Sequence, residues 1–224
     1  MATTLFEQYR PDDFDGIVGQ DDAKKTIQLW AKRGLAGRCV FITGASGTGK
    51  TTFARVIAKM VADPTAIREV DAGRLTEASI DDEIRHLRPL SLFGELNGRV
   101  LIVNEAHRLR QAVVGALLSL MEDNLPSHCL ILFTTTSEGL ETFQDGQFDA
   151  KPFLSRCNKL ALSRRGLAEP FALRAAGIAR KEGLAPDNMS DEMLLEKCVK
   201  LAKANANNLR EMLCKIEDGW LLAN

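Results

Sequence analysis

An excess of charge of either sign is what this sequence most plainly lacks. Lys and Arg number 29, Asp and Glu 30, and the net charge is −1. That balance argues against a histone-like or tail-driven nucleic-acid binder, although a local basic surface remains compatible with it. The five cysteines, Cys39, Cys129, Cys157, Cys198 and Cys214, lie far apart and form no C-x-x-C pair. An odd, scattered set reads as reduced thiols of a cytosolic protein, not as a disulfide framework or a zinc site. No apolar run approaches the roughly 18 residues that a membrane span requires. Met1 to Arg10 has neither a basic region nor an apolar stretch, so no signal peptide is expected. Internal repeats and low-complexity tracts are also missing. What remains is globular composition, 45% hydrophobic and 26% charged over 224 residues, enough for one large domain or a large one with a small one.

Short apolar runs alternate with helical patterns over the first 160 or so residues. Cys39–Ile42, Val100–Val103 and Leu130–Phe133 suit buried strands, with Glu69–Asp71 and Lys159–Leu162 as weaker ones. Phe53, Val56, Ile57, Met60 and Val61 mark one helix face, closed near Pro64. Ile80–Leu87 and Leu109–Met121 read as further helices. Continuous apolar strands separated by helices predict an α/β fold whose parallel sheet is covered on both faces. Beyond Arg164 the pattern turns all-helical, over 167–182, 190–203 and 207–222. The expected division is therefore an α/β domain over 1–164 and a small helical domain over 165–224.

Gly44, Ala45, Ser46, Gly47, Thr48, Gly49, Lys50 and Thr51 fit G-x-x-x-x-G-K-[ST] at every fixed position, between a strand and a helix. Glycines let the backbone curl so that several N–H groups converge on phosphate oxygens, and the helix N-terminus adds positive potential. Lys50 supplies charge for the β- and γ-phosphates, and the Thr51 hydroxyl suits Mg²⁺; Thr52 follows in the same turn. At usual glycine frequency the fixed positions coincide by chance in about 1% of chains this long.

Hydrolysis at such a loop needs a carboxylate near Mg²⁺ and a group that orients the attacking water. Val100 to His107 ends a buried strand with Asn104, Glu105, Ala106 and His107. Glu105 suits the water-activating role. Asn104 stands where the magnesium-facing acid is expected; its amide oxygen keeps acceptor capacity but no charge. His107 has no metal-ligand partner at useful spacing and reads as structural or surface.

Together these residues resemble the AAA+ ATPases, and within them the sliding-clamp loaders of DNA polymerases: bacterial gamma/tau and the replication factor C small subunits. The opening from Tyr9-Arg10-Pro11 through Ile17-Val18-Gly19-Gln20 is similar to the family's "YRP…VGQ" start; the resemblance implies adenine packing by Tyr9, Arg10, Pro11, Ile17 and Val18. Glu69-Val70-Asp71-Ala72 resembles the next strand segment. Leu154-Ser155-Arg156-Cys157 matches "SRC", implying that Arg156 reaches a neighbouring subunit's ATP site. Asn208-Leu209-Arg210 resembles the lid motif that makes Arg210 a γ-phosphate sensor, and Thr135 of Thr134-Thr135-Thr136 matches the sensor at the strand end. The implied cofactors are ATP and Mg²⁺, and the implied partners are other clamp-loader subunits in a ring (a pentamer in the family), a sliding clamp and primer–template DNA, with no membrane. Two features depart from the pattern. No cysteine-rich insertion follows the phosphate-loop helix, and clamp loaders continue into a helical collar where this sequence stops.

In the apolar stretch Leu90 to Gly94, Leu92 and Phe93 are candidate clamp anchors or tucked loop residues. Arg85, Arg88, Arg108 and Arg110 could meet DNA phosphates, but Asp81, Asp82 and Glu83 among them favour a solvated face. The expected function is an ATP-hydrolysing clamp-loader subunit in the cytoplasm. A poorly hydrolysing ring member, favoured by Asn104, and a DNA-associated remodeller unrelated to clamps are the alternatives.

Overall fold

The computed structural model describes residues 3–90, 94–122, 125–144 and 149–223. It divides into two compact units, one of Asp21–Ala45 with Lys50–Leu162, the other of Met1–Gln20, Ser46–Gly49 and Ser163–Asn224. The second unit begins its C-terminal part close to the expected boundary at 164. It also takes in the first twenty residues, which sequence reading assigned to the α/β domain.

In the α/β unit, strands β1 (Arg38–Gly44), β2 (Ile67–Asp71), β3 (Arg99–Asn104), β4 (Cys129–Thr135) and β5 (Asn158–Leu162) form one parallel sheet in the order β2-β3-β4-β1-β5. Strand side chains alternate between faces. Phe41, Leu101, Val103, Ile131 and Phe133 join one core with Ile80 of α4 (Glu77–Leu87), Val113 and Leu117 of α5 (Gln111–Glu122), Phe143 of α6 (Ser137–Gln144) and Phe153 of α7 (Lys151–Ser155). Their neighbours Val40, Ile42, Ile102 and Leu132 are fully buried on the other face, where α3 (Lys50–Lys59) packs on β1, β3 and β4. Covering on both faces explains why each inner strand reads as an unbroken apolar run. Helix α2 (Asp21–Ala31) packs against β5 and buries Ala23 and Ile27. Thr76 starts α4 with a capping box, accepting from the Ser79 N–H at 3.2 Å while Ser79 Oγ accepts from the Thr76 N–H at 2.8 Å.

In the helical unit, α8 (Ala168–Lys181), α9 (Asp191–Ala204) and α10 (Leu209–Glu217) pack around Phe171, Leu194, Cys198, Met212 and Ile216. Ala172, Ala175, Ala176 and Ala179 give α8 a buried face of small side chains, and α8 packs extensively on α9. Helix α1 (Leu5–Gln8) inserts Leu5 into this core, and its N–H donates to Glu217 at 3.4 Å. The single helix expected over 207–222 is two: Gly219, at φ +83°, breaks it between α10 and α11 (Trp220–Ala223). Among the described residues no helix is long and apolar enough to cross a membrane.

The thiols give a pH prediction. Burial pushes Cys39 up to about 12 and Cys129 and Cys198 up to about 11. Unfolded thiols lose their protons from about 8.5 upward, so the folded state holds protons that the unfolded state releases. This contribution to stability is complete below that pH and is lost as pH rises toward 12. Urea midpoints should fall between pH 8 and 11, and Cys39→Ala with Cys129→Ala should flatten the slope. An unchanged slope in the double variant would remove the thiols as its cause.

Candidate functional site

The phosphate loop leaves the C-terminal end of β1 and opens α3, as its motif requires. Gly47 and Gly49 adopt φ +77° and +92°, conformations that a side chain would strain. A Cβ on Gly47 would also run into the Asn208 amide. Within the helical unit, whose contacts include the loop tip, the carbonyl of Thr48 accepts from Gln20 Nε2 at 3.4 Å and that of Ser46 accepts from Arg164. Gln20 further bridges Ser163, donating to its carbonyl at 2.8 Å and accepting from its N–H at 3.0 Å. The lone amide of a "VGQ" sequence gave no sign of that role.

In the α/β unit, Lys50 is buried and its Nζ donates to the Ala45 carbonyl at 3.0 Å. Thr51 Oγ1 donates to Asn104 Oδ1 at 3.3 Å, and Thr134 Oγ1 donates to the same oxygen at 2.8 Å. Asn104 Nδ2 donates to Glu69 Oε1 at 2.7 Å. Glu69 is held in turn by Arg55 of α3, through Nε to Oε2 at 2.6 Å and Nη2 to Oε1 at 3.1 Å. Thr51 and Asn104 thus present neutral oxygen donors to one spot beside the phosphate loop. Mg²⁺ takes such donors, one or two from the protein and the rest from phosphates and water. Among the described residues no cluster of three His, Cys, Asp or Glu could hold a metal by itself. The donor set therefore fits Mg²⁺ held jointly with phosphate.

Glu105 follows β3 with φ +55° and ψ +47°, left-handed geometry that is costly for a residue with a Cβ. Its carboxylate is 3.5 Å from His107 Nδ1, and the same nitrogen is 2.9 Å from Thr135 Oγ1. His107, which sequence reading set aside, joins the two groups to which the resemblance gives water activation and γ-phosphate sensing. The two strand-end threonines diverge by parity: Thr134 turns to the Asn104 side, whereas fully buried Thr135 meets His107. Gly139 leaves room there, since a Cβ would press on both His107 and Thr135.

Arg156 caps the C-terminus of α7, donates from Nη1 to the Pro152 carbonyl at 2.8 Å and pairs with Glu122 of α5. It lines a cavity of about 420 Å³ with Arg38, Cys39 and Asn158, at the N-terminal ends of β1 and β5. The phosphate loop leaves the other end of the seven-residue β1, six steps along and so about 20 Å at roughly 3.3 Å per residue. Pro152, Phe153 and Leu154 form the body of α7.

Other expected site residues lie in the helical unit. The Tyr9 hydroxyl donates to Glu182, which raises its pKa, and Lys181 stands over its ring at 5.1 Å. Arg10 donates from Nε to Glu7 at 3.1 Å, Pro11 is half-buried and Ile17 is buried. Val18 packs against the helical core, and exposed Arg210 lies 5.3 Å over Phe6. Asn208, two positions before Arg210, is the one that meets the loop at Gly47. Leu90 is exposed, whereas Leu92 and Phe93 lie outside the described residues. Arg85 pairs with Asp82, and Arg108 lies 3.4 Å from Asp71, as a solvated face would have it.

Residues 40–154, half of the chain, match the model of the ATPase family associated with various cellular activities (AAA). The chain belongs to this AAA family. Nucleotide binding is general to AAA proteins, so the phosphate loop lies in its expected context. The DNA polymerase III subunit tau of Bacillus subtilis (strain 168) is 29% identical over 210 residues, covering 80% of this chain and 37% of that one. The Holliday junction branch migration complex subunit RuvB of Campylobacter jejuni subsp. doylei is 31% identical over 128 residues, 55% of this chain and 35% of its own. The AAA chain spans about a third of the length of the curated gamma/tau relatives that it matches. Among solved structures, the Thermotoga maritima RuvB branch migration motor superposes with a TM-score of 0.59 at 22% identity, over 94% of this chain and 72% of that one. This last likeness concerns the fold.

Proposed function

We propose that this AAA chain binds and hydrolyses ATP as a subunit of a clamp-loader-type ring, which loads a sliding clamp onto primer–template DNA during replication in the cytoplasm. The observation that carries the reading is the distance of Arg156 from its own phosphate loop. An arginine at the opposite end of β1 is far from the ATP of its own chain, which supports a role at a neighbour's. Identity to tau over most of the chain supports the clamp-loader class.

In this reading Gly44 to Thr51 cradle the phosphates and Lys50 offsets their charge. Thr51 and Asn104 are the residues that would hold Mg²⁺, which when bound would supply charge to offset that of the phosphates. Glu105 orients and deprotonates the attacking water. His107 sets the angle of that carboxylate and ties it to Thr135, and by its motif Arg210 is the γ-phosphate sensor. Arg156 stabilises the transferring group on the adjacent subunit.

Lys50→Ala should weaken ATP binding about 10- to 100-fold, since a hydrogen bond to a charged group is worth about 1.5–3 kcal/mol. Binding of a fluorescent ATP analogue measures it, and unchanged affinity would end the nucleotide reading. Turnover of the parent chain should climb with protein concentration as inter-subunit sites form. Identity to RuvB favours a second reading, an AAA motor acting on DNA without a clamp. Turnover stimulated by DNA but indifferent to any sliding clamp would select it.

A further inference from the structure

The amide at Asn104 poses a problem that an aspartate would not. A carboxylate offers oxygen in either orientation, whereas an amide flipped by 180° would present hydrogen-bond donors to a cation. Only the orientation with Oδ1 toward Thr51 is useful. Glu69 decides between the two. Its ionised carboxylate has no proton to give, so whichever end of Asn104 faces it must donate. Nδ2 takes that place at 2.7 Å, which leaves Oδ1 to accept from Thr51 at 3.3 Å and from Thr134 at 2.8 Å. All three contacts agree, and Arg55, bonded to both Glu69 oxygens, keeps the carboxylate in place. The helix that carries Thr51 carries Arg55 one turn later, so phosphate loop and acid are fixed by the same element.

We propose that Glu69 is a positioning residue that orients the Asn104 amide, making a neutral side chain serviceable as the Mg²⁺-facing group of this site. The inference rests on the ATP and Mg²⁺ reading above. It carries a consequence that a plain charge deficit does not. With Asn104→Asp the donor facing Glu69 disappears and two carboxylates come into contact, so restoring the acid alone brings little gain while Glu69 remains charged.

The test is the half-saturating Mg²⁺ concentration for binding of a fluorescent ATP analogue by the full chain, in a two-by-two set of Glu69→Gln and Asn104→Asp. Glutamine offers an NH₂ as well as an oxygen, so it no longer dictates the amide's direction. Glu69→Gln should raise the half-saturating Mg²⁺ about tenfold beside Asn104, the lower end of what such supporting partners contribute. Beside Asn104→Asp it should leave that concentration unchanged or lower it. An equal rise in both backgrounds, or in neither, would overturn the proposal. A second readout needs no nucleotide. The side-chain amide NMR signal of Asn104, assigned by its loss in Asn104→Asp, should shift in Glu69→Gln, and an unmoved signal would overturn the contact itself. Failure of every variant and the parent to bind the analogue, with or without Mg²⁺, would instead end the ATP reading and leave the amide signal to decide the Glu69 contact.

Discussion

Arg156→Ala should lower steady-state ATP turnover of the assembled protein by about 10³-fold or more, the range in which arginines of this kind act. The loss should fall on rate and spare binding, because the side chain lies at the far end of β1 from its own phosphate loop. The guanidinium is already aimed, held by the Pro152 carbonyl and by Glu122. A neighbour's phosphate would compete with Glu122 for the same donors. Mixing separates action in trans from a local defect. Lys50→Ala holds ATP about 10- to 100-fold more weakly but still donates Arg156, so adding it to Arg156→Ala, at an ATP concentration that leaves the Lys50→Ala site largely empty, should recover part of the lost turnover. Unchanged turnover in Arg156→Ala, or no recovery on mixing, would remove this arginine from the reaction.

Phe153→Ala should cost about 3–5 kcal/mol of folding stability, the usual range for removing a buried phenylalanine. At this chain length that is a fall of roughly 6–20 °C in melting temperature. Phe153 is fully buried, with ring centroids 5.0 Å from Phe133, 5.7 Å from Phe143 and 6.3 Å from Phe41. Those partners come from two strands and another helix, so no single neighbour can move to fill the space without disturbing the rest. Circular dichroism melts read the effect, and a loss below about 1 kcal/mol would mean that the cluster collapses onto the gap.

The inner strands and the phosphate loop were legible because their determinants are local. Val100–Val103 and Leu130–Phe133 announce burial on two faces, and the spacing of Gly44, Gly49 and Lys50 carries its own geometry. Helices α1 and α6 are short, and the longer α2 buries only Ala23 and Ile27, so none of the three carries a clear apolar period. The segment 207–222 kept its helical period across Gly219, which hides the break from a periodicity argument. The candidate site was half legible. Glu69 and Asn104 are 35 residues apart, and only the parallel pairing of β2 with β3, Asp71 opposite Asn104, brings them together. His107 has no metal-ligand partner at close spacing in the sequence; its partner is Thr135, 28 residues on. Contacts made by sheet register leave no mark in local spacing.

The place of β1 in the sheet has a consequence during synthesis. Its two hydrogen-bonding neighbours are β4 and β5, which start at Cys129 and Asn158, whereas the phosphate loop begins at Gly44. The ribosome must therefore add roughly ninety more residues before the loop's strand has its first neighbour, about 5–20 s at usual elongation rates. Throughout that interval Cys39 to Ile42 emerge as an unpaired apolar strand, the kind of nascent segment that chaperones shield. Nucleotide cannot stabilise the early chain, because the loop that would receive it is organised only once the sheet's later strands exist.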